Sequence, residues 1–139
     1  MANREDTIKT KIEIDGEKEY RQACKGINAS LREIGSEMDL LSAIYADNAD
    51  SAEALKKKQE ILRKELVEHE KKAEAASKAL KDLEDAGRGN TDAAQKFRTA
   101  LNNARVQVVK TTREIEDIDK QLTEMDQSLD EATDSTVQF

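Results

Sequence analysis

The chain has a single histidine, His69, and a single cysteine, Cys24. Imidazole and thiolate are the side chains best suited to proton transfer, nucleophilic attack and zinc ligation near neutral pH, but each needs companions to do so. A structural zinc takes four nitrogen or sulfur ligands, and a lone His and a lone Cys cannot supply them. A nucleophile needs a base oriented by a third group, and no Ser-His-Asp or Cys-His set can be assembled from this sequence. The carboxylates Glu114, Glu116, Asp117 and Asp119 run along one helical stretch rather than converging on a cleft. The basic run Lys56-Lys57-Lys58 is answered by Glu53 and Glu60, which makes it a solvated helix face and not a phosphate patch. These residues predict a protein that is not an enzyme, with no catalytic residue, cofactor or metal site.

The informative pattern is apolar instead. Side chains recur at alternating steps of four and three residues, first as Tyr20, Cys24, Ile27, Leu31, Ile34, Met38, Leu41 and Tyr45. They recur again as Leu55, Leu62, Leu66, Ala73, Ala76, Leu80 and Leu83. A third run comprises Phe97, Leu101, Ala104, Val108, Ile115, Ile118, Leu122, Met125 and Leu129. A mean step of 3.5 residues keeps one stripe of a helix turned toward a partner helix. Such a chain buries a seam rather than a globular core, and the seam residues are the candidate self-association sites of a homo-oligomer. Gln59, His69 and Thr111 interrupt the seam. Polar residues at such positions set register or helix number at some cost in stability. Cys24, also on the seam, reads as a small buried hydrophobe.

Composition agrees with long helices. Of 139 residues, 38% are charged and 3% aromatic, with no Pro or Trp, so helix-on-helix packing is the affordable way to bury apolar surface. A net charge of −7 argues against phosphate-driven nucleic-acid binding, which needs clustered Lys and Arg. No run approaches the ~18 apolar residues that would span a bilayer, so no membrane segment is expected. The start of the chain has no apolar signal-peptide core, and one unpaired cysteine suits a reducing cytoplasm.

The chain divides into five segments. Residues 1–15 hold the one departure from helical spacing, where Ile8, Thr10, Ile12 and Ile14 alternate with charged residues. Period two with β-branched side chains predicts a strand whose edge must pair, which makes Ile8, Ile12 and Ile14 candidate strand-pairing residues of an assembly segment; the alternative is a strand laid along the helices, or a disordered end. Asp15-Gly16 closes it and opens helix one, residues 16–46, in which Gly26 and Gly35 lie off the seam and could admit another backbone. Asp47-Asn48-Ala49-Asp50-Ser51 competes with helix, and Asp50 followed by Glu53 fits a capping-box-like start to helix two at 51–86. Gly87-Arg88-Gly89-Asn90 is the clearest break, and Asn90 or Thr91 caps helix three, 91–132. Residues 133–139 read as a flexible tail whose apolar end, Val137-Gln138-Phe139, suggests the cut end of something longer.

The fold class is therefore mainly α, one N-terminal β-strand followed by three long heptad-patterned helices. A four-residue link between long helices favours an antiparallel coiled-coil hairpin of helices two and three. The alternative is one extended bent rod, because the four-three phase survives both breaks. Such a rod would approach ~170 Å at 1.5 Å per residue.

The N-terminal features have a further meaning. Ile8-Lys-Thr-Lys-Ile-Glu-Ile-Asp-Gly-Glu-Lys-Glu-Tyr20 leads into Ile27-Asn28, Leu31, then Glu37-Met-Asp-Leu-Leu41 and Asn48-Ala-Asp-Ser-Ala-Glu-Ala-Leu55. This order of strand, Asp-Gly, helix and Asn-Ala break resembles the N-terminal region of tail tape measure proteins from long-tailed phages and prophages of Gram-positive bacteria. The resemblance covers most of residues 7–130 and is most specific up to Leu55. It implies a helical ruler that sets tail length and templates polymerisation of the tail tube. It implies tail tube protein and tail assembly chaperones as partners. It also implies a place in the tube lumen of the virion tail, and in the bacterial host cytoplasm during assembly. Members of that family are far longer than this chain and carry an apolar region that it lacks. An unrelated cytosolic coiled-coil adaptor, or a chaperone-like helical hairpin, is the alternative that the residues alone leave open.

Overall fold

In the computed structural model the backbone is described for residues 4–137 and the side chains for residues 16–128. Three helices make up the chain, α1 (Arg4–Ile44), α2 (Ala52–Asp85) and α3 (Asp92–Val137). No strand occurs among the described residues. The expected strand and the pairing of Ile8, Ile12 and Ile14 rest on residues 1–15, whose side chains lie outside those described. The tail expected from residue 133 rests on residues whose side chains lie outside those described, where the bounds of α3 extend to Val137.

The helices fold back on one another, so the extended rod is not the structure. The α1–α2 pair is antiparallel: Lys64 Nζ lies 3.2 Å from Glu37 Oε2, Lys72 Nζ 3.4 Å from Asn28 Oδ1, and Lys78 Nζ 3.4 Å from Glu19 Oε2. As α2 advances, its partner on α1 recedes. The α2–α3 pair is antiparallel too, with Gln59 level with Ile115 and Asp119, and Leu83 packed near Ala94 and Phe97. From that register α3 projects past the start of α2 by roughly 20 Å at helical rise.

Both reversals have local causes. At the end of α2, the Gly87 N–H donates to the Glu84 carbonyl and the Arg88 N–H to the Leu83 carbonyl, at 3.0 and 2.7 Å. This is a Schellman closure, and it needs a left-handed residue, supplied by Gly87 at φ 76°. Thr91 then caps α3, its Oγ1 accepting from the Ala94 N–H at 3.3 Å. Before α2, Ser51 is the cap, accepting from the Ala54 N–H at 3.2 Å. The expected capping by Asp50 with Glu53 is therefore one residue out of place. With Ser51 as N-cap, the reciprocal carboxylate would have to stand at position 54, which is Ala.

α2 is the central helix, flanked by both others. Its buried set is Ala54, Leu55, Gln59, Leu62, His69, Ala76, Ala79 and Leu83, a wider arc than one seam requires. Two clusters anchor the bundle. One joins Leu55 and Leu62 to Ile115 and Ile118, with Met38 and Leu122 against it. The other joins Ala79 and Leu83 to Ala94 and Phe97, with Tyr20 against it.

Candidate functional site

The seam residues come together within one chain. Ile27, Ile34, Leu62, Leu83, Phe97, Leu101, Ile115 and Ile118 are buried. Tyr20, Leu31, Met38, Leu41, Leu66, Leu80, Val108, Leu122 and Met125 are half-buried, most of them along α1 and α3. Three small residues, Ala54, Ala79 and Ala94, are buried too, at 3%, 4% and 0% exposed. Ala54 and Ala79 stand beside Leu55 and Leu80, and a central helix needs such residues because it must present two adjoining faces.

The polar seam residues are all interior. Gln59, 5% exposed, donates from Nε2 to the Ile115 carbonyl at 3.1 Å and also to Asp119 Oδ1. That side chain fixes the level of α2 against α3, since sliding by one turn would leave a buried amide without acceptors. His69 lies 3.2 Å from Glu65 Oε1, one turn earlier on the same helix, and is 8% exposed. Thr111 is 2% exposed. Among the described residues no buried side-chain nitrogen or oxygen lacks a partner.

α1 and α3 do not close on each other. Among the described residues, no Cα of α1 comes within 8 Å of one of α3. Large side chains bridge the gap. Near the α2–α3 turn the Tyr20 and Phe97 rings meet edge to face, with centroids 4.9 Å apart. Burial, then a hydrogen bond with Cys24, pushes the Tyr20 hydroxyl up to a pKa of about 12. Toward the other end the helices leave a cleft of about 390 Å³. Its walls are Met38, Leu41 and Tyr45 on one side and Ile118 on the other, with Leu55 between, and its polar groups include Asp50, Lys58, Glu114 and Asp117. At its rim the Lys57 ammonium donates to the Tyr45 hydroxyl at 3.0 Å, which holds the amine above its ordinary pKa and ties the α1–α2 turn to α2. Gly26 and Gly35 meet nothing within the chain, since a Cβ added at either has no neighbour within 4 Å.

Charge is distributed unevenly along each helix. Residues 52–64 of α2 carry five basic and two acidic side chains, and residues 65–85 carry four basic and seven acidic. In α3 the sense is opposite: residues 92–113 carry five basic and one acidic, residues 114–126 one basic and six acidic. Residues 16–35 of α1 carry four basic and three acidic, and residues 36–47 no basic and three acidic. Antiparallel packing thus sets the basic start of α2 beside the acidic stretches of α1 and α3.

No group of three or more His, Cys, Asp or Glu residues that could hold a metal ion occurs among the described residues. No helix, among those residues, is long and apolar enough to cross a membrane. Compared with protein-family models, with curated proteins and with solved structures, the chain matches none.

Proposed function

We propose that the chain is a structural component of a phage tail, the N-terminal segment of a tape measure protein that self-associates and takes part in templating the tail tube. The observation that carries this reading is the ordered set of N-terminal features, Ile8 to Tyr20 with its Asp15-Gly16 closure, the helix through Leu41, and the Asn48-Ala-Asp break. Three long helices that pack side by side through apolar faces support it, because helical modules of this kind serve to span and dock.

In this reading the bundle is an end module, and the ruler is a separate helical region of a longer tape measure protein. α3 spans only about 69 Å at 1.5 Å per residue, far short of the rod the same chain would make if extended. The test is tail length, seen by electron microscopy, after removing two heptads from α2 and the two facing them in α3 within the full-length gene. Unchanged length with tails still formed is the expected result. Tails shortened by roughly 40 Å would show that the segment lies extended and acts as ruler itself. Tails indifferent to loss of the whole gene would overturn the family reading.

A further inference from the structure

We propose that the face formed by α1 and α3 is a docking surface for a second, inverted copy of this chain. The proposal extends the self-association invoked above, but it rests on charge and geometry and stands or falls without any tail.

α1 and α3 run in the same direction, on either side of α2, and both are more acidic at the level of the α1–α2 turn. At that level residues 36–47 and 114–126 hold nine carboxylates against one base, Lys120. The facing part of α2, residues 52–64, has a surplus of only three basic groups, five against two. Acid is left over. At the other level, residues 16–35 and 92–113 hold nine bases against four acids, and α2 returns a surplus of three acids, seven against four. Base is left over. Burial is incomplete where α1 and α3 fail to meet: Leu31, Met38 and Leu41 of α1 and Leu122 of α3 stay half-buried.

A parallel copy laid on this face would set acid on acid and base on base. An inverted copy sets the basic level of each over the acidic level of the other, twice, through one self-complementary patch. Gln107 then lies close to the two-fold axis, and Gln121 lies far from it. Both are exposed, and the two heptads between them put them on nearly the same side of α3, where Gln121 borders the cleft. Such a pair has no net direction. Copies that must all point one way along a tube would have to separate from it first.

The experiment uses the whole chain carrying Cys24→Ser, with either Gln107→Cys or Gln121→Cys added, and helicity checked by circular dichroism. Sedimentation of the parent chain at low salt should give about twice the single-chain mass of 15.6 kDa and fall back toward it in 0.5 M salt, since exposed ion pairs are screened. Under mild oxidation the Gln107→Cys protein should form disulfide-linked dimers at least tenfold faster than the Gln121→Cys protein. Equal rates would mean parallel copies and overturn the inverted arrangement. No linkage at either site, or a single-chain mass at every salt concentration, would overturn the docking face itself.

Discussion

Leu62 offers the sharpest test of the folded hairpins. It is 2% exposed and sits among Leu55, Ile115 and Ile118, with Met38 of α1 against the same cluster. Leu62→Ala removes three carbons from a site that three helices enclose. The lost transfer free energy is about 2.4 kcal/mol at ~0.8 kcal/mol per buried carbon. The cavity left behind raises the cost toward ~3–4 kcal/mol, because rigid helices relax only partly into it. Alanine's better helix propensity returns a few tenths of a kcal/mol at most. Urea unfolding followed by circular dichroism would read this as a drop in midpoint of about 1.5–2 M for a slope near 2 kcal/mol/M. The control is Val67→Ala, on the same helix and 48% exposed, for which a change within ~0.5 kcal/mol is expected. An extended helix would expose both side chains alike. Equal, small effects at Leu62 and Val67 would therefore refute the three-helix packing, whatever the helix content.

Four further outcomes can be checked on the same protein. Gln59→Ala should lower stability by ~1–3 kcal/mol in urea unfolding, because the Ile115 carbonyl and Asp119 lose a buried donor. Gly26→Ala should raise the thermal midpoint, by about 1 kcal/mol in stability, since a Cβ there meets nothing within 4 Å and helical Gly is costly. Gly87→Ala should lower stability by ~1 kcal/mol or more, because φ 76° closes the α2–α3 turn in a region that side chains avoid. Tyr20 holds its proton more tightly folded than unfolded, so its contribution is whole below pH 10 and lost as pH rises from 10 toward 12; Tyr20→Phe should flatten that part of the stability–pH curve.

Helix existence was legible because the four-three spacing is strong wherever an apolar stripe must face a partner. Gln59, His69 and Thr111 stood out as polar residues on that stripe, and all three are interior. The role of α2 as the middle helix was harder to see. A seam read one residue wide overlooks Ala54 and Ala79, which matter only once two neighbours share the helix. The Ser51 cap was misplaced by one residue because Asp50 and Ser51 are both good caps, and the choice between them is made by where the chain must turn. The cleft between α1 and α3 had no sequence signature of its own, since it lies where the two backbones stand apart, at the opposite end of the bundle from the Tyr20–Phe97 contact.

Phase conserved through both breaks argued for a rod, and the charge pattern shows why it does not make one. In a rod, residues 52–64 and 114–126 would be separated by roughly 75 Å at helical rise, far beyond the ~8 Å over which salt lets charges interact. Their opposite signs would then have no consequence. Folded antiparallel, the two segments lie side by side, as do the acidic end of α2 and the basic start of α3. Each pair of exposed charges contributes little by itself. What the pattern decides is direction and level: a parallel pairing of α2 with α3 would place like charges together along both halves. The apolar seam, being nearly periodic, tolerates a slip of one heptad. Charge blocks of 13 to 22 residues, with Gln59 donating to one carbonyl and one carboxylate, do not. The retained phase is then what a hairpin also needs, since every helix must turn the same stripe inward after each reversal.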